Sequence, residues 1–322
     1  MEISHMKKRA LIVGINYTGT SNALRGCIND AHHMQAFLTE KGFTDIKLLL
    51  DSEATTDGIK NALNELIAGV VPGDVIVFHY SGHGSQLPSK AESDGFEEII
   101  CPVDLNWMDK VITDATLREI FNQVPNGVNT TVILDCCHSG TMLNQTESLS
   151  TTRELTAPKK VKGARYLKPP AKILRLLSDR TLVDWQTSRD VNATALLIAG
   201  CKANQTSADA FINKIYQGAA TAALLKSAKS NTSITYRTLV TEMNSFMVDG
   251  RYTQHPQLDG SSSLYDKVFI EPFTIADAPV SDAVAPADVL PAVAAPLTTK
   301  TNNTKMFVIA IAIIIAIIVI SL

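Results

Sequence analysis

The sequence predicts an α/β fold in which helices cover both faces of a mostly parallel sheet. Short apolar runs alternate with segments of helical periodicity over most of the chain, and this alternation is typical of parallel strands joined by helices. The 322 residues are 45% hydrophobic, which is enough apolar material for a sizeable core. Two of the apolar runs end in polar turns that contain glycine, at the sheet edge where α/β folds bind their ligands.

The position of each element follows from this pattern. Apolar runs predict strands at 10–15, 46–50, 75–80, 131–134, 194–199 and 267–270. Helical periodicity predicts helices at 30–41, 56–68, 115–123, 219–228 and 235–248.

Changes of composition divide the chain into five parts. We expect a longer front part at 1–150, an irregular basic linker at 151–190, a shorter back part at 191–275, an Ala/Pro-rich unstructured linker at 276–305 and an apolar tail at 306–322.

The overall charge and the cysteines exclude several classes of protein. The net charge of −3 gives no reason to expect a nucleic-acid partner. Five cysteines, none in a C-x-x-C pair, argue against a disulfide scaffold or a structural zinc site. We therefore expect reduced thiols in the cytosol.

The two ends of the chain predict a tail anchor. The N-terminal apolar run ALIVGI is too short for a signal peptide and lacks a following cleavage site, so a buried strand is the better interpretation. The tail MFVIAIAIIIAIIVISL carries no charge, and as a helix it would span about 25 Å of the ~30 Å membrane core. We expect it to insert into membrane lipid and leave the rest of the protein in the cytosol. The alternative is a buried helix or strand, since Ile and Val favour β structure.

The chemistry is expected at the two glycine-containing turns, VIVFHYSGHGS at 75–85 and VILDCCHSGT at 132–141. A cysteine nucleophile needs a neighbouring base, and His83 fits that role. We expect the backbone amides of Gly84 and Cys137 to stabilise an oxyanion. Alternatively, His83 caps a turn and both cysteines lie in the core. Strand alternation turns Cys136 and Cys137 in opposite directions and does not decide between them.

These turns resemble those of the metacaspases, which are caspase-like cysteine peptidases of clan CD. The resemblance rests on Y-S-G-H-G and D-C-C-H-S-G, and it extends to RALIVGINY, LRGCINDA, SDGFEEIICPVD, AGCKANQTSADA, GAATAALL and QHPQLDG, over roughly residues 8–270. It implies a caspase-hemoglobinase-type α/β/α sandwich. It also implies that Cys137 is the nucleophile, His83 is the base and Cys136 is structural.

The resemblance further implies a specificity (S1) pocket. Its positions fall on Asp30, Ser81 and Asp135, with Cys27 beside them, and acids there would bind the cationic side chain of Arg or Lys in a protein or peptide substrate. The plainer alternatives are that Asp30 caps a helix and that Asp135 forms a turn.

Calcium is the one metal that the resemblance suggests. The matching positions are Glu97, Asp114, Ala115 and Asn144, so two carboxylates remain where the family pattern has four. Because calcium prefers several carboxylate oxygens, we expect its binding to be weak or lost and no cofactor to be required.

The basic linker has two interpretations. Some members of the family cut themselves in the corresponding segment, and an Arg/Lys-specific enzyme would find many sites in it. Alternatively it is a solvated loop or one drawn to anionic lipid. The basic residues are Lys159, Lys160, Lys162, Arg165, Lys168, Lys172, Arg175 and Arg180.

The sequence therefore predicts a monomeric, membrane-tethered cysteine endopeptidase that cleaves after Arg or Lys. One rival is a catalytically silent caspase-like scaffold or regulator. Another is a legumain-like enzyme specific for Asn, which would be expected behind a signal peptide.

Overall fold

The computed structural model describes residues 6–89, 96–137, 163–179, 195–202 and 205–273. The strands in these ranges are β1 (Lys8–Gly14), β2 (Asp45–Leu50), β3 (Val75–Ser81), β4 (Gly84–Pro88), β5 (Phe96–Ile100), β6 (Ile112–Thr113), β7 (Asn129–Asp135), β8 (Ala195–Ala199), β9 (Asp209–Ile212), β10 (Ile215–Gly218) and β11 (Gln257–Gly260). The α-helices are α1 (Cys27–Glu40), α2 (Thr56–Ile67), α3 (Asp114–Phe121), α4 (Ala171–Asp179), α5 (Ala219–Ser230) and α6 (Tyr236–Asp249), with short 3₁₀ turns at Asp51–Glu53 and Ser262–Leu264.

A six-stranded sheet in the order β11-β8-β7-β3-β1-β2 forms the centre of the molecule. The five strands from β8 to β2 run parallel, and β11 alone is antiparallel, against β8. Strands β3 and β7 are buried along their whole length, as expected when helices cover both faces of a parallel sheet.

Alternate residues of each strand enter the two cores on either side of this sheet. On β1, Leu11 and Val13 pack in a core that also holds Leu63 of α2 and residues of α3. The intervening Ala10 and Ile12 pack in the other core, with residues of α1, α5 and α6. The predicted fold class is confirmed.

Most predicted elements agree with the structure to within a few residues, but the structure differs from the prediction in three places. The strand expected at 267–270 is absent: Val268 makes a single bridge to Thr235, and the last strand among the described residues is β11. Sequence patterning missed the small sheet β4-β5-β6 and the hairpin β9-β10. Helix α4 lies inside the segment expected to be irregular.

Among the described ranges, no helix combines the length and apolarity needed to cross a lipid bilayer. The predicted tail anchor at 306–322 lies outside these ranges.

The register of the central sheet places three strand ends side by side. Gly14 at the end of β1 is opposite Ser81 at the end of β3, and Ser81 is opposite Asp135 at the end of β7. Helix α1 passes so close to Gly14 that a Cβ there would lie 2.7 Å from the carbonyl oxygen of Cys27. The start of α1 and the ends of β3 and β7 therefore meet at one edge.

Candidate active site

A buried acidic pocket lies at this edge, formed by Asp30, Ser81, Asp135 and Asp209. Asp30, in the first turn of α1, accepts a 2.7 Å hydrogen bond from the Ser81 hydroxyl. The first three of these residues are among the predicted S1 positions. Cys27, the remaining predicted S1 position, is fully buried at the start of α1.

The guanidinium of Arg165 fills the acidic pocket. Its Nη2 lies 2.7 Å from Asp30 Oδ2 and 3.1 Å from Asp209 Oδ1. Its Nη1 lies 3.3 Å from Asp135 Oδ1 and donates a 2.8 Å hydrogen bond to Ser81 Oγ. The whole residue has no solvent exposure. One buried cation thus faces three carboxylates. Such an arrangement stabilises the fold only when good geometry and further hydrogen bonds offset the cost of removing the charges from water.

Backbone amides and hydroxyls hold two of these carboxylates in place. The N–H of Gly218 donates to both oxygens of Asp30, at 2.9 and 3.0 Å. Asp135 accepts from the amide and hydroxyl of Thr221 in the first turn of α5, at 2.8 and 2.7 Å, and from the Ser207 hydroxyl at 2.5 Å. The positive end of α5 also favours this negative charge.

Asp209 is held in the same way from the other side of the pocket. Its carboxylate accepts from the backbone N–H groups of Arg25 and Gly26, each at 2.9 Å. It therefore joins β9 to the segment that leads into α1, and it is the third acid around the guanidinium of Arg165.

Burial and the arginine charge set the protonation of the two central acids. Burial raises the pKa of Asp30 to about 6, and the charge of Arg165 opposes that rise. Burial also acts to raise the pKa of Asp135, but the Arg165 charge and the hydrogen bonds from Ser207 and Thr221 outweigh it, so that this pKa lies below its ordinary value. Both acids are ionised at neutral pH.

The carbonyl oxygen of Arg165 lies on the two backbone amides predicted to form an oxyanion site. It accepts from the N–H of Gly84 at 3.0 Å and from the N–H of Cys137 at 3.3 Å. Glycine at position 84 lets this turn pack against the end of β7, because a Cβ there would collide with the carbonyl oxygen of Cys137.

The residues on either side of Arg165 continue across the site as an extended strand. The N–H of Arg165 donates to Ser207 O at 2.9 Å, and the N–H of Asp209 donates to Gly163 O at 2.7 Å. Beyond the arginine, the N–H of Leu167 donates to Gly84 O at 3.1 Å. Residues 163–167 thus lie on the protein as a peptide bound by β-strand addition would lie.

His83 is a buried, neutral imidazole with one free nitrogen. Its Nε2 lies 2.7 Å from the carbonyl oxygen of Asn22, so Nε2 carries the proton, and its Nδ1 has no hydrogen-bond partner in the described structure. Burial lowers the pKa of His83 to about 4, against opposing contributions from the backbones of Asn22 and Arg165. The centroid of the Tyr17 ring lies 4.7 Å from that of the imidazole, and the Tyr17 hydroxyl accepts a 3.1 Å hydrogen bond from the backbone N–H of His83. The Nδ1 atom of His83 can therefore accept a proton.

The two adjacent cysteines differ in their surroundings, although both are fully buried. Cys136 is part of the hydrophobic core on one face of the sheet. Cys137 lies outside both cores, and its Sγ accepts a 3.2 Å hydrogen bond from the N–H of Ser207. Burial raises the pKa of the Cys137 thiol well above its ordinary value. It is therefore a thiol at neutral pH and needs a base to become a nucleophile.

The suggested calcium positions that the structure describes do not fit that ion. Asp114 begins α3 and makes a 2.7 Å ion pair with Arg118, and its other oxygen accepts from the N–H of Ala115. Burial raises the pKa of Asp114 to about 6, with the Arg118 charge opposing. Glu97 lies half-buried on β5, and Asn144 is outside the described residues. Within the ranges that the structure describes, no cluster of three or more His, Cys, Asp or Glu side chains could hold a metal ion.

Sequence reasoning missed four residues of the site: Arg165, Ser207, Asp209 and Thr221. Arg165 was one of eight basic residues in a segment that resembles a linker, and no local signal distinguishes it. The other three lie in AGCKANQTSADA and GAATAALL, which were recognised as family segments without a role being assigned.

Comparison with known proteins identifies the family. A model of the metacaspase peptidase C14 domain matches residues 8–146. Metacaspase-3 of Trypanosoma brucei brucei is 32% identical over 80% of this chain and 71% of its own length. The chain belongs to the metacaspase family. Two further metacaspases are similarly close, one from Pyricularia oryzae at 34% identity over 80% of this chain and 72% of its own. The other, from Yarrowia lipolytica, is 33% identical over 79% of this chain, which spans only 62% of that relative's length.

A solved structure supports the fold independently. The crystal structure of a protein from Geobacter sulfurreducens superimposes with a TM-score of 0.59, at 24% identity, over 83% of this metacaspase and all of that chain. Membership of the family implies a cysteine peptidase that acts on protein substrates.

Proposed function

We propose that this metacaspase is a cysteine endopeptidase that cleaves after Arg and, less efficiently, after Lys. One observation carries the proposal: Arg165 places its guanidinium among three carboxylates while its carbonyl oxygen lies on the amides of Gly84 and Cys137. An arginine in any extended peptide would satisfy the same contacts.

The charge of the pocket accounts for this specificity. Three acids favour a cation and repel an Asp side chain, and they leave an Asn amide without the charge that balances them. The guanidinium reaches Asp30, Asp135 and Asp209 with two nitrogens. A lysine ammonium is a single point charge and would satisfy fewer acceptors.

The reaction uses the thiol of Cys137 and the free nitrogen of His83. Nδ1 takes the thiol proton as Sγ bonds to the substrate carbonyl carbon, and the resulting oxyanion stays on the amides of Gly84 and Cys137. The intermediate then expels the amine, which receives the proton from His83. Water, deprotonated by the same imidazole, attacks the thioester, releases the new carboxylate and returns the thiol.

The first substrate of each molecule is its own Arg165–Tyr166 bond. While residues 163–167 occupy the site, another peptide cannot bind there. Cleavage would turn the carbonyl of Arg165 into a carboxylate and divide the segment 163–167 in two. Departure of both new ends, with Arg165 on one and Tyr166 on the other, would then open the site to other substrates.

The test compares the full-length chain with Cys137→Ala and Cys136→Ala variants. Wild type and Cys136→Ala should both yield a fragment that begins at Tyr166 and should both hydrolyse fluorogenic Arg and Lys peptides. Cys137→Ala should stay intact and inactive. Cleavage after Asp or Asn, or activity that survives in Cys137→Ala, would refute the proposal.

The second candidate is a catalytically silent scaffold, and the depth of Arg165 burial is the observation that favours it. A permanently seated arginine would plug the site. In that case the wild type would stay uncut. An added arginine-containing peptide would then be hydrolysed no faster by the wild type than by Cys137→Ala.

We also propose that the apolar segment 306–322 tethers the enzyme to a membrane, with the peptidase part on the cytosolic side. The support is its sequence: 17 consecutive residues without a charge. Full-length protein should float with phospholipid vesicles, and a chain that ends at residue 305 should not. Equal flotation of the two would refute the tether.

A further inference from the structure

The buried ion pair between Arg118 and Asp114 lies where the resemblance suggests calcium. Both side chains are almost fully buried, with 7% and 2% exposure, and Nη1 of Arg118 lies 2.7 Å from Oδ2 of Asp114. The other oxygen of Asp114 is engaged by the amide of Ala115 at 2.7 Å. A cation already neutralises this carboxylate.

The suggested positions that the structure describes, at Glu97, Asp114 and Ala115, leave little for a calcium ion to bind. Calcium requires six to eight oxygen ligands, mostly from carboxylates and carbonyls. Ala115 supplies no side-chain oxygen, and a second cation next to the Arg118 guanidinium would be repelled. The ion pair and the missing ligand argue in the same direction.

The ion pair is connected to the catalytic centre through the small sheet. Asp114 directly follows β6, which pairs with β5, and β5 pairs with β4 in a register that places Ile100 opposite Gly84. The N–H of Cys101, just after β5, donates to His83 O at 3.1 Å. A disturbance at Asp114 therefore reaches both the base and one oxyanion amide through three strands.

We infer that Arg118 supplies the positive charge that calcium would otherwise provide, so that this chain holds its catalytic turn in place without the ion. Arg118 is a positioning residue in this scheme, because it acts on Gly84 and His83 through the small sheet. The inference rests on the proposed peptidase activity only for its kinetic readout.

The thermal readout does not depend on activity and is made on full-length Cys137→Ala protein, which cannot cut itself. Millimolar calcium and a chelator should give the same Tm. Adding Arg118→Met, which keeps length and loses charge, should lower the Tm by roughly 10 °C. Arg118→Lys keeps the charge and should lose less than half as much. The matched control is Lys110→Met, which breaks the exposed ion pair with Asp57 and should leave the Tm nearly unchanged.

The kinetic readout uses the same substitutions with Cys137 intact. Wild-type hydrolysis of an Arg peptide should be equal in calcium and in chelator, and Arg118→Met should lower kcat at least tenfold while Arg118→Lys retains most of it. The inference is overturned if calcium raises the Tm or kcat of the wild type. It is also overturned if Arg118→Lys and Arg118→Met lower the Tm and kcat by equal amounts. The same holds if Arg118→Met has no larger effect on the Tm than Lys110→Met. An inactive wild type whose Tm follows the expected pattern would refute the peptidase and leave the inference standing.

Discussion

The guanidinium of Arg165 lies 2.7 Å from the carboxylate of Asp30, although 135 positions separate the two residues in the sequence. The contact closes the acidic pocket with a residue from the basic linker. It connects specificity, self-cleavage and stability, because the same charge that marks Arg165 as a substrate also balances the acids of the pocket.

Arg165→Met should destabilise the fold in a manner that depends on pH. With the cation gone, Asp135 loses the charge that lowers its pKa, and the pKa of Asp30, already raised to about 6, rises further. Acids with raised pKa values in the folded state bind protons on folding, so the free energy of unfolding of the variant should fall as pH rises from about 4 through those pKa values. The loss against wild type should be about 3–5 kcal/mol near pH 8. It should shrink as pH falls through about 6, where Asp30 takes up a proton, and should become small only below the ordinary pKa of an aspartate, where Asp135 is protonated as well.

Urea unfolding in the Cys137→Ala background, at a series of pH values, measures this difference. Lys168→Met is the matched control, since Lys168 is an exposed cation of the same segment. A deficit that is independent of pH would mean that Arg165 stabilises the fold by packing alone.

Asp30 should control the acid limb of activity toward arginine substrates. With an arginine in the pocket its pKa is about 6, so kcat should fall as pH drops through about 6, where Asp30 takes up a proton. The limb of kcat/KM should lie at higher pH, because the empty pocket lacks the charge that lowers this pKa. Asp30→Asn should remove this limb from the pH profiles of both kcat and kcat/KM. It should cost about 2–5 kcal/mol of transition-state stabilisation, which lowers kcat/KM by about thirtyfold to several thousandfold.

Steady-state rates between about pH 3.5 and about 8.5 test this assignment. Burial lowers the pKa of His83 to about 4, so its own limb lies below that of Asp30 and should remain in the variant. If Asp30→Asn kept the wild-type profile at reduced rate, another group would be responsible for the limb.

The sequence predicted the central sheet well because its strands are apolar runs that depend on burial alone. The small sheet escaped because β4 and β5 are mixed in polarity, and Glu98 is buried beside Gln86 rather than exposed. The positions of Asp30, Ser81 and Asp135 came from the resemblance to the metacaspases. Arg165 could not be found in that way, since its burial results from three distant acids and from no property of its neighbours.

Gly218→Ala tests whether the shape of the pocket, in addition to its charge, selects the substrate. The backbone of Gly218, at φ −69° and ψ 132°, is accessible to alanine. The added Cβ would nevertheless collide with Asp135 Oδ2 and with the guanidinium of Arg165. The variant should therefore fold with a loss of about 1–3 kcal/mol, stop cutting after Arg165, and lose more activity toward Arg than toward the slimmer Lys.

Thermal unfolding, fragment analysis and kcat/KM for paired Arg and Lys peptides give the three readouts. Gly250→Ala is the control, because its Cβ meets the partly exposed Tyr252 ring, 2.5 Å away at the end of α6, rather than a buried carboxylate. An Arg to Lys ratio that stayed at the wild-type value in Gly218→Ala would show that the wall of the pocket has no part in the choice of substrate.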